Sequence, residues 1–447
     1  MTRSTKTVGS GGAGQDGDVV FSDRVAATTG RYVVVMSDEV HGDQAAVAEA
    51  LRSVAGVSSI ASTSDFTASA LDVSQARTAD ATVFAELGIA VMAADPGRMA
   101  SISAAAAQDR RIVAIEPERI LYAITGDPPL SVDYLRGYRD AVTHLYEEAT
   151  GGSGEAALEA AARFADTSEF TWGLQATGVS ASSRSGQGVS VAVLDTGFDL
   201  GHPDFAGRGI TAQSFVPGEP PHDGHGHGTH CVGTSCGPAR PSGSRRYGVA
   251  HNANIFVGKV LSNQGSGADS SILAGMSWAI ANGCRVISMS LGADIRTVSQ
   301  AYEAVGRRAL NAGTLIVAAA GNNAKRSFGD PGFVGVPANS PSIMAVGAVD
   351  SELDIANFSA RSNPVEGGQV DIAGPGVAVY SSWPMPKRYH TINGTSMATP
   401  HVAGIAALWS EATGATGAAL WSAVVQAATR LSLPSVDVGA GLTQAPQ

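Results

Sequence analysis

Val191-Ala192-Val193-Leu194-Asp195-Thr196-Gly197 is the stretch on which the reading of the fold turns. An unbroken apolar run that ends on a carboxylate and a turn-forming glycine reads as a buried parallel strand. Its carboxyl end is where open α/β sheets carry their sites. C-terminal to it, apolar runs recur at Ile255–Leu261, Val286–Ser290, Leu315–Ala319 and Ile343–Val349, and the first run itself extends back to Val189. Ser270–Ala281 and Ser299–Asn311, amphipathic or alanine-rich, separate them. This alternation predicts an α/β domain over 168–447 with a doubly wound, mostly parallel sheet and helices on both faces. No internal repeat is visible.

N-terminal to that stretch the pattern changes scale. Over 31–124 an apolar run at Tyr32–Met36 is followed by a helical stretch at Gln44–Val54 and a run at Gly88–Ala93. The Pro96-Gly97 turn signal, a second helical stretch at Arg98–Gln108 and a run at Ile112–Ile115 complete the series. With a further strand expected within Ser62–Val73, this predicts a small α+β, ferredoxin-like sheet with two helices on one face. Residues 1–30, rich in Ser, Thr and Gly, read as a flexible leader. Residues 125–167 read as a linker with a charged helical stretch at Tyr134–Ala149 and a Gly151-Gly152-Ser153-Gly154 cluster.

Composition narrows the function classes. A chain of 447 residues with 44% hydrophobic and 15% charged residues can bury two cores. The formal charge of −11 and the lack of a long basic run argue against a nucleic-acid partner. No apolar stretch reaches the about 18 residues of a membrane span, and no segment reads as a secretory signal. By sequence the cytoplasm is therefore favoured, and a monomer without a membrane partner is expected. Cys231, Cys236 and Cys284 are too few for a disulfide framework and are expected as free thiols.

Three segments carry a carboxylate, an imidazole and a hydroxyl: Asp195-Thr196-Gly197, His227-Gly228-Thr229-His230, and Gly394-Thr395-Ser396-Met397-Ala398-Thr399-Pro400. A hydroxyl becomes a useful nucleophile when a base takes its proton and a carboxylate orients that base. Each residue also has a bland reading. Asp195 and Ser396 suit capping positions, and His222, Asp223, His225, His227 and His230 are crowded enough to suggest a metal cluster, although the intervening glycines spoil helical ligand spacing. Asn322, after Ala318-Ala319-Ala320-Gly321, offers an amide at another strand end or a simple turn residue.

Together these segments, spanning Trp172 to Ala445, resemble those of the subtilisin-like serine peptidases. The resemblance implies a serine endopeptidase in which Ser396 attacks a peptide carbonyl, His227 is general base and acid, and Asp195 orients the imidazole. Asn322 and the Ser396 N–H would hold the oxyanion. It also implies that Gly265-Ser266-Gly267 and Ser290-Leu291-Gly292 pair with an extended peptide substrate, and that Gly335 lines a roomy primary pocket. The domain over 31–124 resembles the family's inhibitor-type propeptide, which would occupy the cleft as an intramolecular inhibitor until self-cleavage. That cut is expected within Asp127–Thr167.

The same resemblance favours secretion, against the reading from the missing signal. A transpeptidase or macrocyclase using the same triad, and a silent peptide-binding scaffold, are the alternatives. No cofactor is implied for catalysis and no catalytic metal. Asp204 matches one ligand of the family's structural calcium site, but the loop Gly237–Tyr247 offers Pro, Arg and Ser where other ligands would stand, leaving calcium unsupported.

Overall fold

Alternation along one strand explains how the larger domain is layered. In the computed structural model, which describes residues 27–66, 71, 76, 78–124, 163–363 and 367–447, Val191 and Val193 face one way and Ala192 and Leu194 the other. The principal elements after residue 163 are β6 (Ser190–Asp195), β7 (Ile210–Ser214), α3 (His227–Cys236), β8 (Asn254–Lys259), β9 (Ser266–Ala268), α4 (Asp269–Ala281), β10 (Val286–Met289) and β11 (Leu291–Gly292). They continue with α5 (Gln300–Asn311), β12 (Leu315–Ala319), β13 (Met344–Val349), β14 (Ile372–Pro375), α6 (Thr395–Thr413) and α7 (Gly417–Gln426). Five strands, β1–β5, and two helices, α1 and α2, precede them in the N-terminal domain.

The main sheet runs β14-β13-β12-β10-β6-β8-β7, and every pairing in it is parallel. On one face Val191, Val193 and Val317 pack against Val232 of α3 and Met397 and Val402 of α6. On the other, Ala192, Leu194 and Ile316 pack against Ile272 and Met276 of α4 and Val305 of α5. The expected doubly wound architecture is present. Strand order reverses between β6 and β10, so Asp195 ends the strand at the topological switch point.

The N-terminal domain comprises β1 (Thr28–Met36), α1 (Gln44–Ala55), β2 (Ile60–Ser62), β3 (Ala81–Phe84), β4 (Ile89–Ala93), α2 (Met99–Ala106) and β5 (Ile112–Ala123). The Asp43 side chain accepts from Ala46 N to cap α1, and Gly56, at φ 70°, ends it in the left-handed region. The sheet order β5-β1-β4-β3-β2 puts Val34, Met36 and Met92 under α1 and α2, so both helices lie on one face. The other face, with Val33, Val35, Val91 and Leu121, joins the core that includes α4 and α5.

Two sequence expectations change here. Within 62–73 the described residues hold the end of β2 and a single 3-10 turn at Thr63–Asp65, and the further strand is Ala81–Phe84, paired to β2 and β4. The run expected at Ile112–Ile115 continues to Ala123, because its second half pairs outside its own domain. Leu121 sits opposite Gly267 of β9, and Ala123 opposite Leu291 of β11. The helical stretch at Tyr134–Ala149, most of the linker and most of the leader lie outside the described residues. Among the described residues no helix is long and apolar enough to cross a membrane, and all three cysteines are buried and unpaired.

Candidate active site

The carboxylate and the imidazole meet because β6 ends and α3 begins at the same edge of the sheet. Asp195 Oδ1 lies 2.8 Å from His227 Nδ1, with both residues buried. The Thr196 N–H, 2.7 Å from the same oxygen, fixes the carboxylate's orientation. Burial alone would raise the Asp195 carboxyl, but the facing imidazole and these hydrogen bonds outweigh it and hold the pKa below the usual carboxylate range. Burial likewise disfavours the imidazolium, and the Asp195 charge more than reverses that, raising His227 well above an ordinary histidine. His227 is thus built to accept a proton while Asp195 stays charged.

Asp223 builds the start of α3, and the sequence reading saw it only as a possible metal ligand. Its Oδ1 accepts from His225 N (3.0 Å), Gly226 N (2.8 Å) and Thr196 Oγ1 (2.9 Å), and its Oδ2 from Thr229 N (2.8 Å) and Thr229 Oγ1 (2.7 Å). This buried carboxylate therefore satisfies orphan N–H groups of the helix and ties them to the Asp195 turn. The tie continues through Gly228 N, 2.8 Å from Thr196 Oγ1. A Cβ at Gly228 would lie 2.2 Å from Gly197 O, so only glycine lets the helix seat so close.

The crowded histidines do not form a metal cluster. His230 Nε2 contacts Val379 O at 3.0 Å, and its burial brings its pKa down to about 3. Among the described residues the convergent set of metal-type side chains is Asp195, His227 and Cys231, the last with Sγ 3.8 Å from His227 Nδ1.

Ser396 lies in the first turn of α6 and is fully buried. Its Oγ donates to Ser290 O at 3.1 Å, and no hydrogen bond joins it to His227. Among the described residues His227 Nε2 has no partner. The expected triad is therefore half formed: Asp195 and His227 are engaged, while the hydroxyl is parked on a neighbouring carbonyl. Catalytic hydrogen bonds often close only on the way to the transition state, and rotation about Cα–Cβ is the motion available to Ser396.

Asn322 is oriented by Thr395. The Thr395 N–H must donate, so the Asn322 atom 3.0 Å away is its Oδ1, which also accepts from Thr395 Oγ1 at 2.8 Å. The amide nitrogen then points the other way, and Nδ2 donates to Ile124 O at 3.3 Å. Ile124 N donates to Ser290 O (3.2 Å) and Ala123 N to Gly265 O (2.8 Å). The tail of β5 thus lies as an added strand between β9 and β11, antiparallel to both. These are the two segments expected to bind an extended peptide: Gly265, Ser266 and Gly267 on one side, Ser290, Leu291 and Gly292 on the other.

A Cβ at Gly292 would stand 2.7 Å from Val336 O and 2.8 Å from Ile124 Cδ1, so this glycine makes room both for the neighbouring backbone and for the Ile124 side chain. Gly335 stands where a side chain has no room. Its Cβ direction meets Ala293 O at 2.3 Å, which serves the close approach of the Ala293–Val336 bridge. A cavity of about 200 Å³ beside Ile124 is bounded by Tyr122, Ala123, Gly292, Ala293, Asp294 and Asn322.

A parallel sheet with an aspartate at its switch point, a histidine opening the next helix and a serine opening the central one defines a class, and the sequence profile of the subtilase family matches residues 186–442. The chain belongs to that family. It is similar to subtilisin E of Bacillus subtilis, 44% identical over 237 residues, covering 53% of this chain and 58% of the relative. Subtilisin DY of Bacillus licheniformis is 42% identical over 236 residues, 53% of this chain and 81% of the relative. An alkaline protease of Alkalihalobacillus alcalophilus is 44% identical over 241 residues, 53% of this chain and 58% of the relative. The matched part thus spans a little over half the length of several curated relatives.

Proposed function

We propose that the chain is the zymogen of a serine endopeptidase, with residues 31–124 as its inhibitory propeptide and Ile124–Thr125 as the first bond it cuts. The observation that carries this reading is the Asn322 Nδ2 donating to Ile124 O while the Ile124 N–H is held by Ser290. That is how a substrate carbonyl sits when an oxyanion is about to form on it. The bond lies upstream of Asp127–Thr167, where the sequence alone had placed the cut.

In the proposed reaction Ser396 Oγ turns from Ser290 O and adds to the Ile124 carbonyl carbon as His227 Nε2 takes its proton. Asp195 stabilises the imidazolium, and Asn322 Nδ2 with the Ser396 N–H receives the charge on oxygen. The C–N bond then breaks, His227 protonates the Thr125 amine, and water hydrolyses the Ile124 ester by the reverse sequence. The substrates are extended peptides. The tail indicates an aliphatic residue before the cut and a leucine three residues earlier, since Leu121 is fully buried.

The test is processing of purified protein. Wild type should yield a species beginning at Thr125, and Ser396→Ala should stay at 45.2 kDa. A fluorophosphonate adduct on Ser396 of the processed form should accompany activity. A new N-terminus elsewhere, or equal processing of both proteins, would refute self-cleavage at this bond. Resolution of the ester by an added amine instead of water would show as a ligated product in the same mass spectra.

A further inference from the structure

Asp204, the residue matching a ligand of the family's structural calcium site, has no oxygen left to give. Its side chain is fully enclosed. Oδ1 accepts from Arg388 Nη2 (2.8 Å), Tyr389 OH (3.1 Å) and Ser242 N (3.3 Å). Oδ2 accepts from Tyr247 OH (2.7 Å) and Tyr389 OH (3.0 Å). A hard cation needs a shell of oxygens presenting lone pairs, whereas this carboxylate faces hydrogen-bond donors on every side. The loop expected to supply other ligands contributes Ser242, whose carbonyl is itself taken by Arg388 Nη2 at 2.8 Å. The same loop carries Arg240, Arg245 and Arg246 and has no acidic residue. The residues present do not fit a calcium ion.

They fit a guanidinium. Arg388 stacks over the Tyr389 ring, 5.1 Å from its centroid, and bridges Asp204 to the Ser242 carbonyl. Its backbone is held in a conformation, φ 67°, that non-glycine residues rarely adopt. His202 Nε2 pins it there, 2.9 Å from Arg388 O, and His202 precedes the Pro203-Asp204 pair. Position, backbone and head group are therefore all fixed by the same corner of the fold, as expected where surrounding structure over-determines a strained residue. Burial would raise the Asp204 carboxyl, and the Arg388, Tyr247 and Tyr389 hydrogen bonds bring it below its ordinary range, so it is charged and neutralised from within.

We propose that Arg388 is a built-in cation that takes the place of a divalent ion at Asp204, so that this corner of the enzyme holds together without calcium. Two consequences separate this from a surface ion pair. Removing divalent metal should not loosen the corner in the native protein. Removing the guanidinium should leave a buried carboxylate without its countercharge, beside a Ser242 carbonyl that keeps only the long Tyr389 OH contact of 3.3 Å, and so create a cation requirement that the native chain lacks.

The probe is terbium alone, whose emission is sensitised by adjacent tyrosines, titrated into full-length Ser396→Ala protein. In that parent, emission should not fall on Asp204→Asn, and its thermal midpoint should not move between chelator and excess calcium in a way that depends on Asp204. Arg388→Ala in the same background should gain saturable emission that calcium displaces and Asp204→Asn abolishes. Its thermal midpoint should fall in chelator and recover with calcium, and Arg388→Lys should keep the parent's behaviour. Emission in the parent that Asp204→Asn removes would overturn the proposal. So would a folded Arg388→Ala as stable as the parent and silent to terbium. If Arg388→Ala does not fold, the parent decides: Asp204-dependent emission refutes, and its absence with a chelator-insensitive midpoint supports.

Discussion

Replacing Arg308 by alanine should release the proposed inhibitor without touching the chemistry. Arg308 lies in α5 and reaches across to the N-terminal domain. There Nη1 donates to Leu87 O at 2.6 Å and Nη2 to Met36 O at 2.6 Å, and Nη2 also pairs with Asp38 Oδ1 at 2.8 Å. The Asp38 side chain is 60% exposed, so solvent screens that pair and it counts for little. Nη1 also reaches Gly88 O at 3.2 Å; the two short backbone bonds, to Leu87 O and Met36 O, are buried and charge-assisted, worth about 1.5 kcal/mol each at the low end, and their loss would also strand those carbonyls. A total of about 3 kcal/mol corresponds to roughly a hundredfold weaker hold on the cut propeptide.

The assay is a progress curve on a small peptide ester after processing begins. Wild type should show a lag while the cut propeptide still occupies the cleft, and Arg308→Ala a much shorter one. Final kcat/KM should be equal, because Arg308 touches none of Asp195, His227, Ser396 or Asn322. An unchanged lag would refute the reasoning. So would a shortened lag accompanied by lower final kcat/KM, since Arg308 would then be acting on the catalytic machinery.

Asn322→Ala should lower kcat by about 10² to 10³ with KM little changed, the loss seen when the oxyanion amide is removed from a subtilisin; steady-state kinetics on the processed enzyme check this. Gly292→Val should block self-processing, because a Cβ would stand 2.7 Å from the Val336 carbonyl oxygen and 2.8 Å from Ile124 Cδ1, and gel electrophoresis should show the full-length chain persisting. Acid should destabilise the fold through histidines buried as neutral rings: His401, brought down to about 4, and His230, brought down to about 3, bind protons less readily folded than unfolded. Their contribution is whole above pH about 6.5 and shrinks by up to about 1.4 kcal/mol per histidine for each pH unit down to their folded values. Denaturant midpoints between pH 7 and 4.5 should fall less for His401→Gln, if that variant folds, than for wild type.

What could be read from the chain was whatever is written locally. The strand at Val191–Leu194 and its helix-covered relatives announce themselves through unbroken apolar runs, and Asp195, His227, Asn322 and Ser396 through short segments in a set order. What was hidden depends on partners far away. The second half of β5 looks like a continuation loop until Ser266–Ala268 and Leu291–Gly292 are placed on either side of it. Asp223 looks like one more polar residue among histidines because its five donors belong to a turn and a helix that exist only once folded. The parked Ser396 hydroxyl is a rotamer, and no sequence encodes a rotamer by itself.

The strand β5 belongs to both domains at once, hydrogen-bonded to β1 within its own sheet and to β9 and β11 in the cleft. Severing the backbone after Ile124 therefore deletes a tether and leaves every grip in place. The first turnover would leave the enzyme gagged by its own product, so that hydrolysis and liberation become separate events with separate clocks. The slower clock would sit in the interface, where any second molecule that destroys the freed fragment sets the pace for the whole population.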